Sequence, residues 1–157
     1  MIKLSNALTG ACGLYYSAAE LTRLGYTTAL TIRNAKGIDI LASTLDGKRS
    51  IQIQVKTSNC NPKYKFILNK DAEILKAEDL FYIFVHLNGL STTPDKPTTR
   101  PDYYIVPSEI VANHVRTSHE EWLIKPGRKG QAHKDTPMRT FIDRECEYLE
   151  KWELLEQ

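Results

Sequence analysis

The chain has 157 residues, 41% of them apolar and 25% charged, with a net charge of +2. That length suits a single domain with a real core, no apolar run is long enough to cross a bilayer, and the charge is too small to name a nucleic-acid partner. Cys12, Cys60 and Cys146 are odd in number and far apart, without a CxxC pair, which excludes a disulfide framework or a cysteine zinc site. The opening residues Met1 to Asn6 lack the apolar run of a secretory signal, so a cytoplasmic location is expected.

A first helix is predicted from about Leu8 to Leu24, with Ser5, Asn6 or Thr9 as cap and Gly25 as stop. Its apolar positions Leu8, Cys12, Tyr15, Ala19 and Leu24 follow three- and four-residue steps, and Glu20 interrupts the apolar patch. Tyr26 to Arg33 reads as a strand, Asn34 to Gly37 as a turn, and Ile38 to Ser43 as a second strand. Asp46-Gly47-Lys48 then makes a hairpin into a third strand.

That third strand, Ile51 to Thr57, alternates residue by residue. Ile51, Ile53 and Val55 share one face, while Gln52, Gln54 and Lys56 share the other. The polar side of such a strand ordinarily faces solvent. Here the hairpin can bring Asp39 beside Gln54 and Lys56, which would gather a carboxylate, an amide oxygen and an ammonium.

Further along, Tyr64 to Leu68 reads as a short strand, Asp71 to Ala77 as a helical turn, and Leu80 to Val85 as a strand apolar on both faces and therefore central. Gly89 to Pro101 is a loop, Tyr103 to Val106 a strand, and Pro107 or Ser108 caps a helix through Ile110, Val111, His114 and Val115. From about 125 to 139 runs a basic loop, with five Lys or Arg residues against one acid, which serves either as a solubilising surface or as a phosphate grip. Helical spacing at Phe141, Ile142, Cys146, Leu149 and Trp152 predicts a closing helix at about 139–155. The order of elements gives a mixed α/β sandwich around a central sheet.

Other motifs fail. Gly47-Lys48 lacks the first glycine and the Ser or Thr of a phosphate-binding loop, and His114 and His119 are five apart, on different helix faces. Structural or surface roles suit His86, His114 and His119; His133, in the basic loop, could touch phosphate.

Glu20, Gly37-Ile38-Asp39 and Gln54-Val55-Lys56 stand in the order helix, meander, third strand. In this the chain resembles the PD-(D/E)XK nuclease superfamily, and the Gln before the Lys is similar to the Mrr-type and Holliday-junction-resolvase-like branches. Ile38 replaces the proline of the family name, and Gln54 replaces a charged ligand. The resemblance implies a restriction endonuclease-like three-layer α/β/α sandwich with a central mixed sheet, in one domain over residues 1–157. It also implies a DNA endonuclease using Mg²⁺ or Mn²⁺, with Glu20, Asp39, Gln54 and Lys56 as its site. Asp39, Gln54, the Val55 carbonyl and Glu20 would hold the metal, more weakly than an all-acid set, and Lys56 would orient the attacking water or offset developing charge. Lys63, Lys65, Arg128, Lys129, His133, Lys134 and Arg139 would grip the DNA backbone. Two alternatives stay open: a nuclease fold that binds DNA without cutting it, and a subunit of a larger complex. A homodimer is possible, since cutting both strands needs two sites.

Overall fold

The computed structural model describes residues 4–32, 37–88 and 100–156. Arg33, all of the expected 34–37 turn but Gly37, and residues 89–99 of the expected 89–101 loop lie outside the described residues.

Helix α1 spans Asn6–Arg23. Ser5 caps it, its hydroxyl accepting the Leu8 N–H at 3.3 Å, and Gly25 ends it with φ of 94°, a left-handed conformation that favours glycine. Three antiparallel strands follow: β1 (Tyr26–Leu30), β2 (Ile40–Thr44) and β3 (Ser50–Ser58). Next come β4 (Lys65–Asn69), a 3₁₀ turn (Lys70–Glu73), β5 (Leu80–His86), β6 (Asp102–Pro107), α2 (Ser108–Ile124), β7 (Met138–Ile142) and a closing 3₁₀ helix (Trp152–Glu156).

The main sheet has the order β1-β2-β3-β5-β6. β3 and β5 run parallel and the other neighbours antiparallel, so the sheet is mixed, as expected. β5 is buried at every residue, as its two-sided apolar sequence requires. A separate pair, β4 with β7, lies beside it.

The alternation of β3 divides the molecule into layers. Ile51, Ile53 and Val55 pack with Leu21, Ile83, Val85 and Tyr103 in one core, against α1 and the closing 3₁₀ helix. On the other side of the sheet, Phe66, Tyr82, Phe84, Tyr104, Val111, Val115 and Phe141 form a second core, with α2, β4 and β7. The result is a three-layer mixed α/β fold. α1 crosses β3 closely at Gly13, where a Cβ would overlap the Thr57 side chain, so only glycine permits the approach.

The C-terminal region corrects the sequence reading: no α-helix runs over 139–155, and only the closing 3₁₀ helix from Trp152 is helical there. Met138–Ile142 is a strand, because Phe141 faces the second core and every residue from 138 to 142 finds a partner in β4. Asp143 then accepts the Glu147 and Tyr148 N–H groups, both at 2.9 Å, which builds a turn. Cys146 and Glu150 both have positive φ, which no continuing right-handed helix allows. His114 sits where α2 meets β7, its Nε2 accepting the Ile142 N–H at 3.3 Å, and burial lowers its pKa.

Candidate active site

β2 and β3 part company at Asp39. The last backbone bond between them runs from the Asp39 N–H to the Ile53 carbonyl, at 2.8 Å. At the next step the Asp39 side chain takes over: its Oδ2 accepts the Val55 N–H at 2.7 Å and the Gln54 Nε2–H at 2.6 Å. A carboxylate only accepts, so the amide nitrogen of Gln54 must face it and the carbonyl Oε1 must face away. Oε1 has no hydrogen-bond partner among the described residues, although Gln54 is only 6% exposed. The Val55 carbonyl lies on the Asp39 side of Gln54, where Nε2 makes a long 3.5 Å contact with it.

Gln54 and Lys56 line a cleft of about 450 Å³, whose other walls include Gly37, Asn69, Asp71, Leu75 and Tyr82. Lys56 makes no ion pair or hydrogen bond among the described residues. Burial raises the Tyr82 hydroxyl pKa to about 12, and the carboxylates of Asp39 and Asp71 push it the same way. Asp39 and Gln54 are thus in contact, and Lys56 shares the cleft with Gln54.

Glu20 is not brought to them. It lies on α1, across the sheet from the cleft. Its Oε2 is 2.8 Å from Arg23 and 3.2 Å from Arg100, which also reaches Glu150 at 3.4 Å. Helical spacing placed Glu20 beside an apolar face without saying which side of the sheet that face covers.

The expected DNA-contacting residues divide. Arg128, Lys129 and Lys134 are exposed, and Lys65 lines two grooves beside β4. Lys63 pairs with Asp102 at 3.2 Å. His133 stacks on Trp122 with ring centroids 4.0 Å apart, while His119 also stacks on Trp122 and bonds Asp135 at 2.8 Å, so the basic loop is held against α2. Arg139 is the correction here: it is 6% exposed, paired with Glu73, and donates to the Thr136 and Met138 carbonyls, so it offers nothing to a phosphate. It sits on the inward side of β7, an alternation that the mistaken helix had concealed.

The oxygens around Asp39 suit a hard cation. The Asp39 carboxylate and the Val55 carbonyl are the donor type Mg²⁺ and Mn²⁺ take, and Gln54 joins them with its Oε1 once its amide, whose Nε2 now faces both, is turned over. Among the described residues no three His, Cys, Asp or Glu side chains form a metal-holding group. The set therefore fits an ion that keeps much of its water, as Mg²⁺ does, rather than a closed protein cage.

An α/β domain with a central mixed sheet flanked by helices, and a carboxylate, an amide and a lysine at the point where two strands separate, has an endonuclease-like fold. Among solved structures, the chain is similar to a bacterial homing endonuclease, I-Ssp6803I, with a TM-score of 0.55 and 10% identity over 98% of this chain and 95% of that one. No family model and no curated protein matches the sequence. No helix among the described residues is long and apolar enough to cross a membrane.

Proposed function

We propose that the chain is a metal-dependent DNA endonuclease of PD-(D/E)XK type, with Gln54 in the position of the usual acid. The observation that carries this reading is that Gln54, which bonds the Asp39 carboxylate, and an unpaired Lys56 line one cleft. The likeness of the fold to that of a homing endonuclease supports it. Mg²⁺ or Mn²⁺, held by Asp39, Gln54 and the Val55 carbonyl, would supply Lewis acidity toward a phosphodiester.

The chain's own residues do the rest. The Val55 N–H and the Gln54 amide fix the Asp39 carboxylate, so one of its oxygens stays oriented without a mobile side chain to order. Lys56, a compact cation with no competing acid bound to it, attracts a phosphate and offsets the negative charge that builds on it. Lys65 and the cations of the 125–134 loop lie in the same layer as the cleft, where they would hold the backbone rather than read bases. Duplex cleavage would call for two such sites and hence a pair of chains.

The test is nicking of supercoiled plasmid, and cutting of branched and single-stranded DNA, with Mg²⁺ or Mn²⁺. Cleavage that falls by about a hundredfold or more in Lys56→Ala supports the assignment. No cleavage of any of these substrates by the wild-type chain rejects it. One observation favours a second reading, a DNA-binding module without catalysis: Asp39 has a structural task in the strand ladder that needs no metal. Salt-sensitive DNA binding with no uptake of Mn²⁺ would identify that module.

A further inference from the structure

β3 and β5 run parallel in a register that sets Gln54 opposite Tyr82 and Lys56 opposite Phe84. Tyr82 and Lys56 are therefore diagonal neighbours on one face of the sheet, and both line the cleft. We propose that the Tyr82 hydroxyl is a second phosphate-binding group of this site, donating a hydrogen bond to an oxygen of the phosphodiester whose charge Lys56 offsets. This rests on the endonuclease reading and adds to it a neutral donor from a strand outside the sequence motif.

Two observations single out Tyr82. The residue is 1% exposed, yet its hydroxyl has no hydrogen-bond partner among the described residues. The hydroxyls of Ser17 and Tyr103 are sealed off without a partner, whereas that of Tyr82 keeps some surface, and the wall it belongs to is the cleft's. A buried hydroxyl without an acceptor costs free energy that a ligand oxygen entering the cleft restores. The ring is also held in place, stacking on Phe84 with centroids 5.6 Å apart, while Phe84 stacks on Phe141 at 4.7 Å. A donor on such a stack is oriented before the ligand arrives, so little freedom is lost on binding.

Charge selects the ligand. Lys56 makes no ion pair, and Asp71, the acid in the lining, bonds neither Lys56 nor Tyr82. A phenol is protonated at neutral pH and can donate. A cation and a donor side by side, with no protein acceptor between them, suit an anion rich in acceptor oxygens. A phosphodiester is such an anion, and a hydrogen bond to it is charge-assisted.

The experiment compares wild type, Tyr82→Phe, Lys56→Gln and the double variant in three assays: Mn²⁺-dependent plasmid nicking, binding of a labelled DNA duplex in EDTA across salt concentrations, and melting. Tyr82→Phe should nick about tenfold more slowly and bind about tenfold more weakly, the worth of one hydrogen bond to a charged group. Its melting point should not change, because the hydroxyl bonds nothing in the protein. Its log–log salt slope should match wild type, since no charge is lost, whereas Lys56→Gln lowers the slope by about 0.9. In the Lys56→Gln background the same substitution should cost no more than about twofold, because both groups grip one phosphate. Wild-type nicking and binding by Tyr82→Phe, a lowered melting point, or losses that simply multiply in the double variant overturn the role of Tyr82 and leave the endonuclease reading standing. No nicking by wild type, with duplex binding still weakened in Tyr82→Phe, rejects the endonuclease and keeps the phosphate site. A wild-type chain that neither nicks nor binds the duplex overturns both.

Discussion

The carboxylate of Asp39 holds the backbone of Val55 at 2.7 Å, standing in for the strand that has just turned away. Asp39→Ala therefore strips a buried N–H of its acceptor and should cost about 1–3 kcal/mol. Asp39→Asn keeps an oxygen for that N–H and should cost less than half as much. Urea unfolding distinguishes them; equal midpoints for wild type and Asp39→Ala would show that the bond contributes nothing. Cleavage assays belong on the Asn variant, where loss of the reaction is not loss of the fold.

Glu20→Gln should leave DNA cleavage near the wild-type rate. Its partners Arg23 and Arg100 are 62% and 53% exposed, so the charge network is worth under about 1 kcal/mol. A hundredfold loss of cleavage at unchanged stability would mean that α1 does reach the cleft.

His114 makes stability depend on pH. Burial lowers its folded pKa from 6.5, and Asp143 only partly opposes this. As pH falls below 6.5 the unfolded chain takes up a proton that the folded chain resists, so the contribution is complete above that pH and drains away toward the lower folded value. Urea midpoints measured from pH 7.5 to 5 should fall in wild type and fall less in His114→Gln. Parallel curves would rule the imidazole out as the cause.

Arg139 and Lys129 should separate cleanly in DNA binding. Arg139→Met leaves Glu73 without its cation, and since Glu73 is 24% exposed the cost is about 2–3 kcal/mol, less than for breaking a fully buried pair. The salt dependence of DNA affinity should not change. Lys129→Gln should do the reverse, lowering the log–log slope by about 0.9 because one fewer phosphate is neutralised, with stability intact. Filter binding across salt concentrations measures it.

The alternation of Ile51 to Thr57 made β3 and its polar side legible, and the hairpin residues Asp46 to Lys48 set the pairing that brings Asp39 to Gln54. What stayed hidden was anything fixed by the third dimension alone. The resemblance puts Glu20 at the site, but helical periodicity in α1 does not say which side of the sheet the helix covers, and α1 packs on the side away from the cleft. Over 139–155 the apolar residues satisfy a helical period by coincidence. The β4 partner that makes Arg139 to Ile142 a strand lies about 70 residues earlier, beyond any local pattern.

The clamp between Glu73 and Arg139 joins positions 66 residues apart. A chain still emerging from the ribosome thus possesses Asp39, Gln54 and Lys56 well before it possesses the guanidinium that secures the turn beside them. The turn beside the pocket stays unsecured until Arg139 has been made, and a product cut short ahead of Met138 would carry the charged residues without the clamp behind them.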